Sequence, residues 1–184
     1  PHERGYGATM PALAGLITRA AMHRRGLTLR EISQVAVKNH AHGARNPDAH
    51  FQEPVTLEAV MESRLVADPL RLYHCCPISD GAAAVVLCPA DQAKKYSDVP
   101  VRIAGSGQAT DTHALHERED STVLKAVQLA SKRAFEMAKV NPCDIDVAEL
   151  HDAFVILEIA ESEDAGFFKK GEGAKALEEG KTAI

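Results

Sequence analysis

The stretch VAELHDAFVILEIAESEDAGF, Val147 to Phe167, decides how the chain is read. Asp144 to Leu150 reads as a short strand, and from Ala153 onward Phe154, Ile156, Leu157 and Ala160 recur at the three-and-four spacing of a helix. His151 and Asp152 fall at the junction. The carboxyl end of a parallel strand, followed by the positive end of a helix, is where α/β proteins tend to place ligands and chemistry. A histidine there can donate a hydrogen bond to a carbonyl oxygen, and an aspartate can cap the helix or orient its neighbours. The pair also has a plainer reading, which periodicity alone favours: Asp152 as an ordinary N-cap and His151 as a partly buried histidine satisfied by backbone.

Working outward, Ser121 to Val140 carries the longest amphipathic pattern, with Val123, Ala126, Val127, Ala130, Ala134, Phe135 and Ala138 on one face and Asp120 or Ser121 as its cap. Before it, Val101, Ile103 and Ala104 start another strand, and Gly105 and Gly107 permit a bulge or a close backbone approach. Strand, helix, strand, helix between residues 101 and 165 is the order of a right-handed crossover unit in an α/β fold. Gly105-Ser106-Gly107 lacks the third glycine and the helix start of a dinucleotide loop. Further upstream, the small and β-branched run Ala82 to Cys88 predicts a strand covered on both faces. The segment Lys94 to Pro100 is the candidate junction between two domains, residues 1–98 and 99–184.

Two helices joined by a short turn are expected in the first of these. PALAGLITRAAMHRRG places Leu13, Leu16, Ile17 and Ala20 at helical spacing and stops at Gly26; TLREISQVAVKNHAHG opens with Thr28 and Glu31, the pair of a capping box. Ala44 to Thr56 is loop, and a short helix spans Leu57 to Ser63. KKGEG, Lys169 to Gly173, reads as a solvent-facing turn.

Composition bounds the function. With 184 residues, 45% of them hydrophobic, the chain can bury one or two cores. A net charge of −5 and no basic block argue against a polynucleotide partner, and no apolar run approaches the roughly 20 residues that span a bilayer. The cysteines at 75, 76, 88 and 143 form no metal-ligand pattern, so no metal site is expected; buried thiols in a reducing, cytoplasmic compartment are favoured over a disulfide. The chain begins PHERGYGATM without an initiator methionine and stops at GKTAI, as a piece cut from a longer protein does.

Several segments together resemble the thiolase family, in the branch of the sterol-carrier-protein thiolases and the archaeal and bacterial acetyl-CoA acetyltransferases. PISDGAAAVVL, Pro77 to Leu87, is similar to the Asn-Asp-Gly-Ala-Ala-Ala strand of the N-terminal half. VRIAGSGQATD resembles the first strand of the C-terminal half, and NPCDIDVAELHDAF resembles a strand followed by the Asn-Glu-Ala-Phe box, which in this branch reads His-Asp-Ala-Phe or His-Asp-Cys-Phe. VAVKNH and VADPLRLYHCCPISDG are similar to the same branch.

The resemblance implies an α/β fold of two similar halves with layered helices and mixed sheets, only part of which is present. Residues 1–98 correspond to the remainder of the N-terminal half and 99–184 to the first part of the C-terminal half. It implies an acyl-CoA or acetyl-CoA substrate, no cofactor beyond that thioester, a place in lipid metabolism, and a homodimer or homotetramer. His151, first in the box, is implied to hydrogen-bond the thioester oxygen in an oxyanion hole. Asp152 supports it, Phe154 walls the acyl pocket, and Cys76 aligns with a serine position that touches the pantetheine arm.

The family's nucleophilic cysteine, Gly-His-Pro histidine and second cysteine are absent from these residues, so this segment alone is not expected to catalyse the reaction. The leading expectation is a segment of an acyl-CoA thiolase or acetyl-CoA C-acetyltransferase, working by Claisen condensation or thiolytic cleavage of a 3-ketoacyl-CoA. The alternatives are a thiolase-like retro-aldolase acting on an acyl-CoA side chain, and a short non-catalytic subunit that binds coenzyme A thioesters.

Overall fold

The computed structural model describes residues 2–183. After a single turn, α1 (His2–Gly5), helix α2 (Met10–Arg25) starts where Thr9 turns its hydroxyl onto the Ala12 N–H and Pro11 occupies the first turn, where no donor is needed. Gly26 ends it at φ 70°, its N–H returning to the Met22 carbonyl. Helix α3 (Leu29–Gly43) opens with the expected capping box: Thr28 Oγ1 accepts the Glu31 N–H at 3.2 Å and Glu31 Oε2 accepts the Thr28 N–H at 2.7 Å. Thr56 caps α4 (Leu57–Glu62), and an antiparallel hairpin of β1 (Leu65–Ala67) and β2 (Leu70–Arg71) follows, with Ala67 opposite Leu70.

Later in the chain stand α5 (Lys125–Ala138), α6 (Val155–Asp164) and α7 (Gly173–Glu178). One core unites both parts of the chain, because Ile32, Val35, Val60 and Leu70 are fully buried together with Ile156, and Ile17, Ile159 and Leu177 close around them. Each such side chain removed from water contributes about 1.5–3 kcal/mol. That core is what docks α6, and therefore the segment just before it, onto α3.

The predicted strands are corrected. Residues 82–88 and 101–104 have no regular secondary structure, residues 144–150 leave a single 3-10 turn (Pro142–Asp144) as irregular chain, and none of them enters a ladder among the described residues; the order between 101 and 165 is irregular chain, helix, irregular chain, helix. The run expected to be buried on both faces is exposed, with Val86 at 93%. Strand propensity is local, but a strand exists only where a second extended backbone takes up its N–H and C=O groups, and none of the described residues does so here.

The approach of backbone at Gly105 and Gly107 is present: this segment lies on α5 so closely that a Cβ at either glycine would collide with the Ala134 or Ala130 carbonyl oxygen. Neither Asp120 nor Ser121 caps α5; Asp120 Oδ1 instead takes the Thr122 N–H and hydroxyl, and the Leu124 N–H donates to Asp164 Oδ2 at 2.7 Å. Cys76, Cys88 and Cys143 are exposed and Cys75 half-buried, all four as free thiols, so the expected burial of the cysteines is not met. Within Lys169–Gly173 the solvent-facing turn ends at Gly173, which is buried as α7 begins. Among the described residues no helix is long and apolar enough to cross a membrane.

His74 joins the turn after the hairpin to α3, and its tautomer is fixed by its partners. Nδ1 accepts the Arg71 N–H at 3.1 Å, so the ring proton sits on Nε2 and donates to Ser33 Oγ at 2.9 Å, which donates onward to the Leu29 carbonyl. A second ring proton would displace the Arg71 N–H. Burial, with the Arg71 charge adding to it, lowers the His74 pKa to about 4. Since the folded ring resists a proton that the unfolded ring accepts below about 6.5, stability is lost as pH falls from about 6.5 towards 4, by at most about 1.4 kcal/mol per pH unit. Urea unfolding of the full-length protein across this window is expected to show the slope, and His74→Gln to flatten it; an unchanged slope contradicts the assignment.

Candidate active site

The approach to α6 is built from two strands of backbone far apart in sequence. The Cys76 N–H donates to the Ala153 carbonyl at 2.9 Å, and Cys75 pairs antiparallel with Phe154 in an isolated bridge. Phe154 is therefore extended, at φ −137° and ψ 134°, and α6 cannot begin before Val155. This places the His151–Asp152 corner outside the helix, in solvent, directly ahead of the helix N-terminus.

Of the residues singled out in the sequence, Cys76, His151, Asp152 and Phe154 thus share one locality, held by backbone. Phe154 is only 8% exposed and belongs to the core beneath the corner. Asp152 does not cap α6, which has no side-chain cap; its Oδ2 accepts from Asn39 Nδ2 at 2.6 Å. The His151 N–H donates to Glu161 Oε2 at 2.8 Å, reaching forward into the next turns of α6. Cys75 is no nucleophile here: burial pushes its thiol up, with neighbouring Cys76 adding to this, so it stays protonated at neutral pH.

Four residues that sequence reasoning left without a role complete the site: Lys38, Asn39, Glu158 and Glu161. Asn39 Nδ2 also donates to Glu158 Oε2 at 2.7 Å, and Lys38 Nζ meets Glu158 Oε1 at 2.5 Å. One signal was available, because Glu158 lies three residues after Val155 on the inward stripe of α6 and is buried. A carboxylate on an apolar stripe requires a partner. Burial pushes the Glu161 carboxyl above the usual carboxylate range, opposed by the His151 N–H and reinforced by Asp152 and Glu158. Among the described residues no group of three or more His, Cys, Asp or Glu side chains is placed to hold a metal ion. What the corner offers chemically is an exposed imidazole on a braced backbone next to a helix N-terminus, a combination suited to an oxygen that gains negative charge.

Residues 6–91 match the family model for the thiolase N-terminal domain, and residues 107–184 that for the thiolase C-terminal domain-like unit. The acetyl-CoA acetyltransferase of Methanothermobacter thermautotrophicus is 50% identical over 99% of this chain and 48% of its own length. That of Methanocaldococcus jannaschii is 46% identical over 99% of this chain and 47% of its own length. Among solved structures, the Ltp2-ChsH2(DUF35) aldolase superposes with a TM-score of 0.85 at 30% identity, covering 96% of this chain and 48% of that one. The chain spans about half the length of the relatives it matches, and its arrangement is that of a partial α/β thiolase-like fold.

The Glu161 shift has a testable sign. A carboxyl whose folded pKa is raised holds its proton more tightly in the fold, so its ionised form destabilises the fold, and that cost accrues as pH rises through the raised pKa. Glu161→Gln keeps an oxygen for the His151 N–H and removes the charge. The variant is expected to melt higher than the parent protein at pH 7, with the difference closing towards pH 4; scanning calorimetry at the two pH values measures it.

Proposed function

Because this chain belongs to the thiolase family, we propose that the full-length protein containing it is an acyl-CoA thiolase, an acetyl-CoA C-acetyltransferase, with His151 as a donor in the oxyanion hole. The observation that carries this reading is the exposed His151–Asp152 corner, fixed by the Cys76–Ala153 backbone bond at the N-terminus of α6. In this reading the thioester carbonyl lies against the corner. As a nucleophile adds to the carbonyl carbon, or as an α-proton leaves, the oxygen takes up negative charge, and the imidazole N–H stabilises it directly or through one water.

Cys76 then lies beside the pantetheine arm, and Phe154 shapes the acyl pocket from beneath. The covalent step is assigned to a thiolate elsewhere in the full-length protein, since none of the four cysteines here carries the family's nucleophile motif. Coenzyme A arrives as the substrate thioester, and the reaction proposed uses no further cofactor. The apolar side chains standing in solvent, among them Val85, Val86, Val101 and Ile103, support burial against further protein, both the rest of the same chain and other copies in a homodimer or homotetramer. Four free thiols support a reducing, cytoplasmic compartment, and the thioester substrate a place in lipid metabolism.

A second reading is favoured by one observation: the structural neighbour at 30% identity is an aldolase. A retro-aldol cleavage of an acyl-CoA side chain also builds an enolate on a thioester, which the same donor would stabilise. The two are separated by incubating the full-length protein with acetoacetyl-CoA and free coenzyme A. Thiolysis to acetyl-CoA is expected, and His151→Ala is expected to lower kcat by about 10²–10³-fold, the loss typical of one oxyanion donor. Unchanged turnover in that variant removes the proposed role.

A further inference from the structure

The His151–Asp152 corner is not held by its own secondary structure. Residues 144–150 before it join no ladder among the described residues, and α6 after it lacks a side-chain cap. Besides the Cys76 N–H on the Ala153 carbonyl and Glu161 on the His151 N–H, it is held from outside by α3.

The amide of Asn39 is the piece that does this. Its one nitrogen donates to two carboxylates, Asp152 Oδ2 at 2.6 Å and Glu158 Oε2 at 2.7 Å. Carboxylate oxygens at neutral pH only accept, so both amide protons are committed and the nitrogen must face the pair. Left without it, Asp152 and Glu158 would meet as like charges. A serine offers one proton and an aspartate none, whereas an amide bridges both without adding charge. Glu158 is a rigid anchor for this bridge: its side chain is 10% exposed and its other oxygen is taken by Lys38 Nζ at 2.5 Å. Glu161 secures the adjoining residue through the His151 N–H.

We propose that Asn39 is a positioning residue for His151: it clamps Asp152 to the Glu158–Lys38 pair and so fixes the backbone from which the imidazole is presented. The proposal rests on the reading of His151 as the oxyanion donor. Asn39 touches no reacting atom; it acts through its neighbour, and its loss displaces the donor from the position where transition-state charge develops. Such displacement lowers kcat far more than it weakens substrate binding.

The test is a double-mutant cycle in the full-length protein, with kcat and KM measured for acetoacetyl-CoA thiolysis in the parent, Asn39→Ala, His151→Ala and the double variant. Asn39→Ala is expected to lower kcat about 10- to 100-fold, with KM within about threefold of the parent. In the His151→Ala background the same change is expected to cost less than about threefold, because the group it positions is gone. Asn39→Ser, which keeps one hydroxyl donor for the carboxylates where alanine keeps none, is carried through the same cycle and is expected to fall between parent and alanine. If His151→Ala is impaired but Asn39→Ala keeps full kcat, or costs its full factor again in the His151→Ala background, the positioning role is overturned while the oxyanion reading stands. If His151→Ala itself turns over normally, the oxyanion reading fails, and the positioning role with it.

Discussion

The backbone bond from the Cys76 N–H to the Ala153 carbonyl is the constraint on which the rest of the site depends. It forces Phe154 into extended geometry, which sets the first turn of α6 and leaves the two preceding residues as an exposed corner. On its other side the bonded segment runs back to His74, whose ring is locked between the Arg71 N–H and Ser33 of α3. The corner, the turn after the hairpin and α3 thus form one mechanically continuous unit, built around Ile32, Val35, Leu70 and Ile156.

Helix α6 organises the charges as well as the core. Glu158, in its first turn where the helix dipole favours negative charge, and Glu161, in the turn after it, serve the corner. At its C-terminus Glu163 and Asp164 stand where the dipole opposes them, and cations offset this: Arg25 meets Glu163 at 3.1 Å and Lys170 meets Asp164 at 2.8 Å. Those two carboxylates tie the helix to its neighbours, Asp164 through the Leu124 N–H and Gln128 of α5, and Glu163 through the Gly173 N–H that opens α7. A ten-residue helix thereby anchors the site at one end and the surrounding helices at the other.

Much of this was legible in the sequence where the physics is local. The Thr28–Glu31 box, the Gly26 stop and the apolar stripe of α5 from Ala126 to Ala138 depend on residues within a turn or two and stand where the pattern puts them, whereas the helix begins at Lys125 rather than Ser121 and leaves Val123 outside it. The strands at 82–88, 101–104 and 144–150 were not legible as ladders, because their existence depends on a partner backbone that no local pattern reveals. The expected capping by Asp152 and by Asp120 or Ser121 failed for a related reason: distant side chains, Asn39 and Asp164, take the groups that a local cap would have used. His151 and Asp152 were visible as an anomaly in an apolar run, whereas the clamp on them crosses from α3 and left only the inward-facing Glu158 as a trace.

The account is tested most directly by a crystal structure of the full-length protein with acetyl-CoA bound. It predicts an imidazole nitrogen of His151 at about 2.7–3.1 Å from the thioester oxygen, or joined to it by one water, with the Asn39 amide still bridging Asp152 and Glu158. A thioester oxygen met by other donors, with His151 turned away from it, would contradict the account.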